Sequence, residues 1–94
     1  MYKDNSLTPR EAIRLCALGT LVQSIDEGPM AYDDLVFAVR HFVSRITGPS
    51  LELMGDSIEL LKYEGLVANT NEKDTSNPRL IITKEGQIVF KTLL

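Results

Sequence analysis

Two residues with reactive side chains stand alone in this chain: one cysteine, Cys16, and one histidine, His41. A zinc site takes three or four ligands, mostly Cys and His. No spacing of carboxylates around these two supplies the remainder, so neither a metal nor another cofactor is expected. Cys16 has no second cysteine to pair with, which fits a reducing compartment, and the cytoplasm is the expected one. Its place on an apolar helical stripe reads as a small buried hydrophobe rather than a redox switch. His41 reads as a surface residue of a helix, although its type alone would allow a pH sensor. The acid pairs Asp26-Glu27 and Asp33-Asp34 could do acid–base work, but both fall at helix ends, where negative charge has a structural reason to be. No GxSxG, phosphate-binding loop, HExxH or Cys/His nucleophile pair is present, and an enzyme is not expected.

The remaining chemistry is charge. Ten Lys and Arg against 13 Asp and Glu give a net charge of -3, so the whole surface is not a wrapper for nucleic acid. Any contact with a polyanion has to come from a local grouping. No run approaches the ~18 apolar residues of a membrane span, and residues 1–15 carry no apolar stretch of a signal peptide. The 94 residues, 44% hydrophobic and 24% charged, suit one globular domain spanning 1–94. With no Trp and six Tyr and Phe in all, its core has to be aliphatic.

The elements that position these charges are readable in order. Residues 1–7 form an N-terminal arm. Thr8-Pro9-Arg10-Glu11 has the pattern of a capping box with proline at the first helical position. Ile13, Cys16, Ala17, Leu21 and Ile25 then recur at helical spacing, widened by Leu18 and Val22, over about 9–25. A second helix is expected over 32–46, with Leu35, Val36, Val39, Phe42, Val43 and Ile46 inward. A third is expected over 51–64, with Met54, Ile58 and Leu61 inward and Gly65 as its stop. Gly55 within it points to a close approach of another helix or to a local break, a bend at the junction being the favoured reading over a tight partner contact, since glycine costs a helix about 1 kcal/mol relative to alanine. The period then changes from 3.6 to 2. Residues 66–69 and 79–82 read as a hairpin around a polar tip, together a wing over 66–82. Thr83-Lys84-Glu85-Gly86 looks like the cap of a last helix over 87–94. Three helices, a hairpin and a short C-terminal helix define a mainly α fold with a small β-wing, the winged helix-turn-helix.

Three stretches carry a family resemblance. Gly28 to Leu35, GPMAYDDL, resembles the GPMxGYEL entry to the second helix of PadR-type winged-helix regulators. Ile58 to Val67, IELLKYEGLV, is similar to their LxxLExxGLI junction between recognition helix and wing. Leu80 to Gly86, LIITKEG, is similar to their YxLTxxG at the end of the wing. Where those regulators open the recognition helix with a small-hydroxyl-Gly-Thr-Leu-Tyr run, this chain has Ser50-Leu51-Glu52-Leu53-Met54-Gly55, matching at Ser50. The resemblance implies a DNA-binding transcriptional regulator with double-stranded DNA as its partner.

In a helix-turn-helix the second helix of the pair enters the major groove. Arg45, Thr47 and Ser50 then lie near the entry to the recognition helix, Lys62 is its own basic side chain, and Lys73 and Arg79 flank the wing as phosphate contacts. Arg40 and His41 on the second helix, and Lys3, Arg10 and Arg14 near the start, are further positive groups. Against this stands the outer face of the third helix: Glu52, Asp56, Glu59 and the adjacent Glu64 set four acids against Lys62, where DNA presents one negative charge per ~1.7 Å. The rival reading is therefore a winged-helix interaction module that binds no DNA and docks a partner protein on its acidic third helix or apolar terminal helices. The last helix is apolar nearly all round, and the first has a wide apolar stripe. A homodimer through Leu18, Val22, Val89, Phe90, Leu93 and Leu94 is expected, because a helix apolar on every side needs burial on more than one.

Overall fold

A computed structural model describes residues 8–43, 51–70 and 78–93. Helix α1 (Pro9–Gln23) starts as its capping box requires. The Thr8 hydroxyl accepts from the Glu11 N–H at 3.1 Å, and the Glu11 carboxylate accepts from the Thr8 N–H at 2.9 Å. The helix ends two residues earlier than its apolar pattern implies. Ser24 turns its hydroxyl back onto the Thr20 carbonyl, a short 3-10 turn (Ile25–Glu27) follows, and Ile25 is left exposed. Gly28, at φ 91°, then redirects the chain in a conformation that side chains with a Cβ avoid.

Strand β1 (Met30–Ala31) runs directly into helix α2 (Tyr32–Val43), and helix α3 is Leu51–Tyr63. The α3 stop is a Schellman arrangement: Gly65, at φ 79°, donates to the Lys62 carbonyl, and Leu66 donates to that of Leu61. Strands β2 (Val67–Asn69) and β3 (Arg79–Ile82) pair antiparallel, with Val67 opposite Ile82 and Asn69 opposite Leu80. The sheet has a third member that a two-residue element could not announce by alternation. β1 lies on the other edge of β3, Met30 opposite Leu80 and Ala31 opposite Arg79, and the Tyr32 N–H extends the pairing to the Pro78 carbonyl at 2.8 Å.

Thr83 joins the wing to the rest. Its N–H donates to the Leu66 carbonyl and its hydroxyl to the Gly65 carbonyl. The same hydroxyl accepts from the Gly86 N–H, capping helix α4 (Lys84–Leu93), which begins three residues before the expected start. The base of the wing, the end of α3 and the start of α4 are thus joined at one residue.

The core is aliphatic, as the composition requires. Ile13, Leu18, Leu35, Val39, Met54, Ile58, Leu61 and Leu80 are fully or almost fully buried, each side chain of this size contributing about 1.5–3 kcal/mol. Phe42 departs from expectation: it is 55% exposed, because the α2 stripe that reaches the core is Leu35, Val39 and Val43. At about 100° per residue, Phe42 falls ~60° around from Val39. Gly55 makes no break, and α3 runs through it. Instead the Tyr32 hydroxyl lies 3.4 Å from where a Cβ at Gly55 would stand. Gly86 is the more constrained glycine: a Cβ there would meet Ile82 Cγ1 at 2.7 Å and come closer still to the Leu66 carbonyl oxygen.

Candidate nucleic-acid interface

α3 presents the face the sequence assigns outward. Glu52, Asp56 and Glu59 are exposed, while Met54, Ile58 and Leu61 are buried. Its electrostatics are milder than the count of acids implies. Lys62 Nζ pairs with Glu59 at 2.9 Å, one helical turn along. The Arg14 guanidinium on α1 donates to Glu64 beyond the end of α3. Two of the four acids are therefore matched by cations, leaving Glu52 and Asp56 without an ion pair among the described residues. The same pairings commit Arg14 and Lys62 internally. Arg14, expected as a free positive group, is a tie between α1 and α3.

Tyr32, which sequence reasoning did not single out, sits against this face. It begins α2, is half-buried and reaches Gly55. Burial pushes its phenol above the ordinary tyrosine range. Glu59 pushes the same way, Lys62 opposes, and Asp33 and Asp56 add to the rise. The GPMAYDDL stretch marks the entry to α2, but nothing in it shows that the tyrosine would lie on α3. Along α2, Phe37 is 75% exposed and Arg40 is exposed; His41 sets its ring edge-on to Phe42 at 5.7 Å between centroids.

Arg79 is exposed at the start of β3, the central strand, and makes no ion pair among the described residues. It borders a shallow hollow of about 150 Å³ that Glu27 and Asp34 also line. Of the residues expected at DNA, Lys62 and Arg79 are thus placed, on α3 and on the wing. Arg45, Thr47, Ser50 and Lys73, with Lys3, lie outside the described residues.

The described residues expected at a dimer interface lie on α1 and α4. Leu18 is 0% exposed within the core and has no surface to offer a second copy. Val22, Val89, Phe90 and Leu93 are partly buried and pack against this chain's own core. Phe90 lies over α1, where a Cβ at Gly19 would be 3.2 Å from its Cε1. The close approach of α4 to α1 absorbs much of the apolar surface that a partner was invoked to cover, leaving Ile88 60% exposed. Leu94 lies outside the described residues. Cys16 is half-buried, and burial pushes its thiol upward, as fits a packing role. No helix among the described residues is long and apolar enough to cross a membrane.

Four helices and a three-stranded antiparallel sheet among the described residues, with α3 following α2 and leading into a paired wing, make this a winged-helix protein. The profile of one family, described as "Putative AphA-like transcriptional regulator", matches residues 2–94, and the chain belongs to that family. No curated protein matches it.

Proposed function

We propose that this chain is a DNA-binding transcriptional regulator that works by binding rather than catalysis, as a dimer in the cytoplasm. The observation that carries this is the geometry of α3. It follows α2 in a helix-turn-helix order, keeps one face clear of the core, and is tied through Thr83 to a wing whose first β3 residue is the exposed Arg79. Membership of a regulator family supports the same reading. Double-stranded DNA would meet Arg45, Thr47 and Ser50 at the entry to α3, Lys62 on it, and Lys73 and Arg79 on the wing. The contacts are mainly to phosphates, which position a protein without reading sequence. The dimer forms through the outer surfaces of α1 and α4, with Val22, Val89, Phe90 and Leu93 at its edge and without Leu18. The PadR-type kinship belongs to this proposal too, on the three stretches that carry it.

Glu52 and Asp56 favour a second reading, in which α3 docks a protein and not DNA. Replacing Glu52, Asp56 and Glu59 together by Gln separates the two. If the face lies at DNA, affinity for a labelled duplex rises, because carboxylates next to phosphates are removed and Lys62 is released. If it docks a basic partner instead, the duplex is not bound by either form.

A further inference from the structure

Helix α2 carries a stripe that the DNA reading leaves without a role. It consists of Asp33, Val36, Phe37 and Arg40. At about 100° per residue these four fall within roughly 100° of one another around the helix, over about 10 Å of its length. Asp33, Phe37 and Arg40 are exposed, Phe37 at 75%. With Leu51 at the start of α3, 57% exposed, the stripe lines one shallow hollow of about 410 Å³. Isolated exposed hydrophobes need no explanation. Here two of them share a hollow that has a carboxylate at one end and a guanidinium at the other.

The stripe is its own complement. Its ends carry opposite charges, and its apolar pair lies midway between them. Turning the helix end for end brings Arg40 to the place of Asp33, Asp33 to that of Arg40, and exchanges Val36 with Phe37. A second copy laid antiparallel, with the two-fold axis between residues 36 and 37, therefore sets each Arg40 against the Asp33 opposite. Each Phe37 enters the hollow beside Val36 and Leu51 of the other copy. This is the self-matching patch that an isologous contact requires. A helix carrying one sign of charge would meet repulsion at one end, and a parallel copy would meet it at both. The charge pattern thus selects a second copy of this chain, antiparallel. Whatever Asp33 touches within its own chain, a carboxylate accepts from several donors at once.

We propose that the α2 stripe pairs two copies of this chain antiparallel, with Phe37 at the centre and an Asp33–Arg40 ion pair at each end. The surface is separate from those of α1 and α4, so it joins copies whether or not those helices do, and it makes no use of DNA. Two helical turns with one large anchor per copy fall short of the roughly 800 Å² per partner of a stable complex. The contact is therefore a weak one that needs high concentration.

Sedimentation equilibrium from about 10 to 500 µM tests it. The parent is expected to show an association step that Phe37→Ser weakens at least tenfold. Tyr63→Ser, at the 89% exposed tyrosine that ends α3, leaves the step unchanged. Asp33→Arg and Arg40→Asp each weaken it at least tenfold, since each sets like charges together at both ends of a pair of identical copies. An equimolar mixture of these two variants associates at least as tightly as the parent, because between unlike copies every charge meets its opposite. Both reversals oppose the α2 dipole, so rescue on mixing is the deciding result: a variant that had only lost its fold would not be rescued by the other. The proposal is overturned if the parent shows no association step by about 500 µM, if Phe37→Ser weakens the step no more than Tyr63→Ser, or if the mixture associates no better than either variant alone.

Discussion

Two glycines inside helices, Gly55 and Gly86, should respond to alanine in opposite directions. Helix propensity alone predicts the same result at both, a gain of up to about 1 kcal/mol. At Gly55 the nearest foreign atom to the new methyl is the Tyr32 hydroxyl at 3.4 Å, an ordinary contact, so the gain is retained. At Gly86 the methyl would meet Ile82 Cγ1 at 2.7 Å and the Leu66 carbonyl. That carbonyl cannot retreat without losing its hydrogen bond from the Thr83 N–H, at 2.9 Å. Overpacking of this kind costs about 1–3 kcal/mol and sometimes more, outweighing the propensity gain; the net loss is about 1–2 kcal/mol. With a urea m-value of ~1.5 kcal/mol/M for a domain of this size, Gly86→Ala lowers the unfolding midpoint by about 1 M and Gly55→Ala raises it by roughly 0.5 M. Urea unfolding followed by circular dichroism at 222 nm measures both. A midpoint for Gly86→Ala at or above the parent's would refute the close approach of α4 to Leu66, just ahead of β2, and with it the placement of the wing.

Other expectations follow from the same structure. Leu18→Ala should destabilise by about 2–5 kcal/mol, as for a fully buried leucine, and a variant that unfolds at the parent's midpoint would return Leu18 to the surface. Thr8→Ala removes the hydroxyl of the capping box and should cost about 1 kcal/mol in the same assay. Folded Tyr32 holds its proton to higher pH than the unfolded chain does, because burial and then Glu59 raise its phenol above the ordinary value. Its contribution to stability is therefore whole below about pH 10 and is lost as pH rises through the folded value. Urea midpoints taken across pH 9 to 11.5 should fall more steeply for the parent than for Tyr32→Phe, and equal slopes would contradict the assignment.

Most of the architecture was legible because it rests on local signals. The box at Thr8 and Glu11, the inward positions Met54, Ile58 and Leu61, the stop at Gly65 and the strand at 79–82 each announce themselves within a few residues. What could not be read is tertiary. β1 has two residues, too few to show alternation. The tie from Arg14 to Glu64 spans fifty positions, so the acids of α3 looked less compensated than they are. Gly86 is needed because a carbonyl from β2's approach lies over it, which no pattern around residue 86 reveals. Phe37 went unremarked because an apolar residue on the outer side of an amphipathic helix carries no periodic signal. Part of the wide apolar stripes of α1 and α4 is spent within the chain, where Phe90 lies over Gly19, and periodicity cannot divide such a stripe between its own core and a second copy.

The central claim is that this winged helix meets DNA through phosphates, and it can be tested without knowing an operator. A labelled duplex of random sequence is titrated with the protein and followed by anisotropy, first at low and then at physiological salt. Binding is expected with a log K that falls linearly with log salt, at a slope of about -0.9 for each phosphate neutralised, and with a slope shallower by about 1 after Arg79→Ala. No binding at low salt, or binding indifferent to salt, would contradict it.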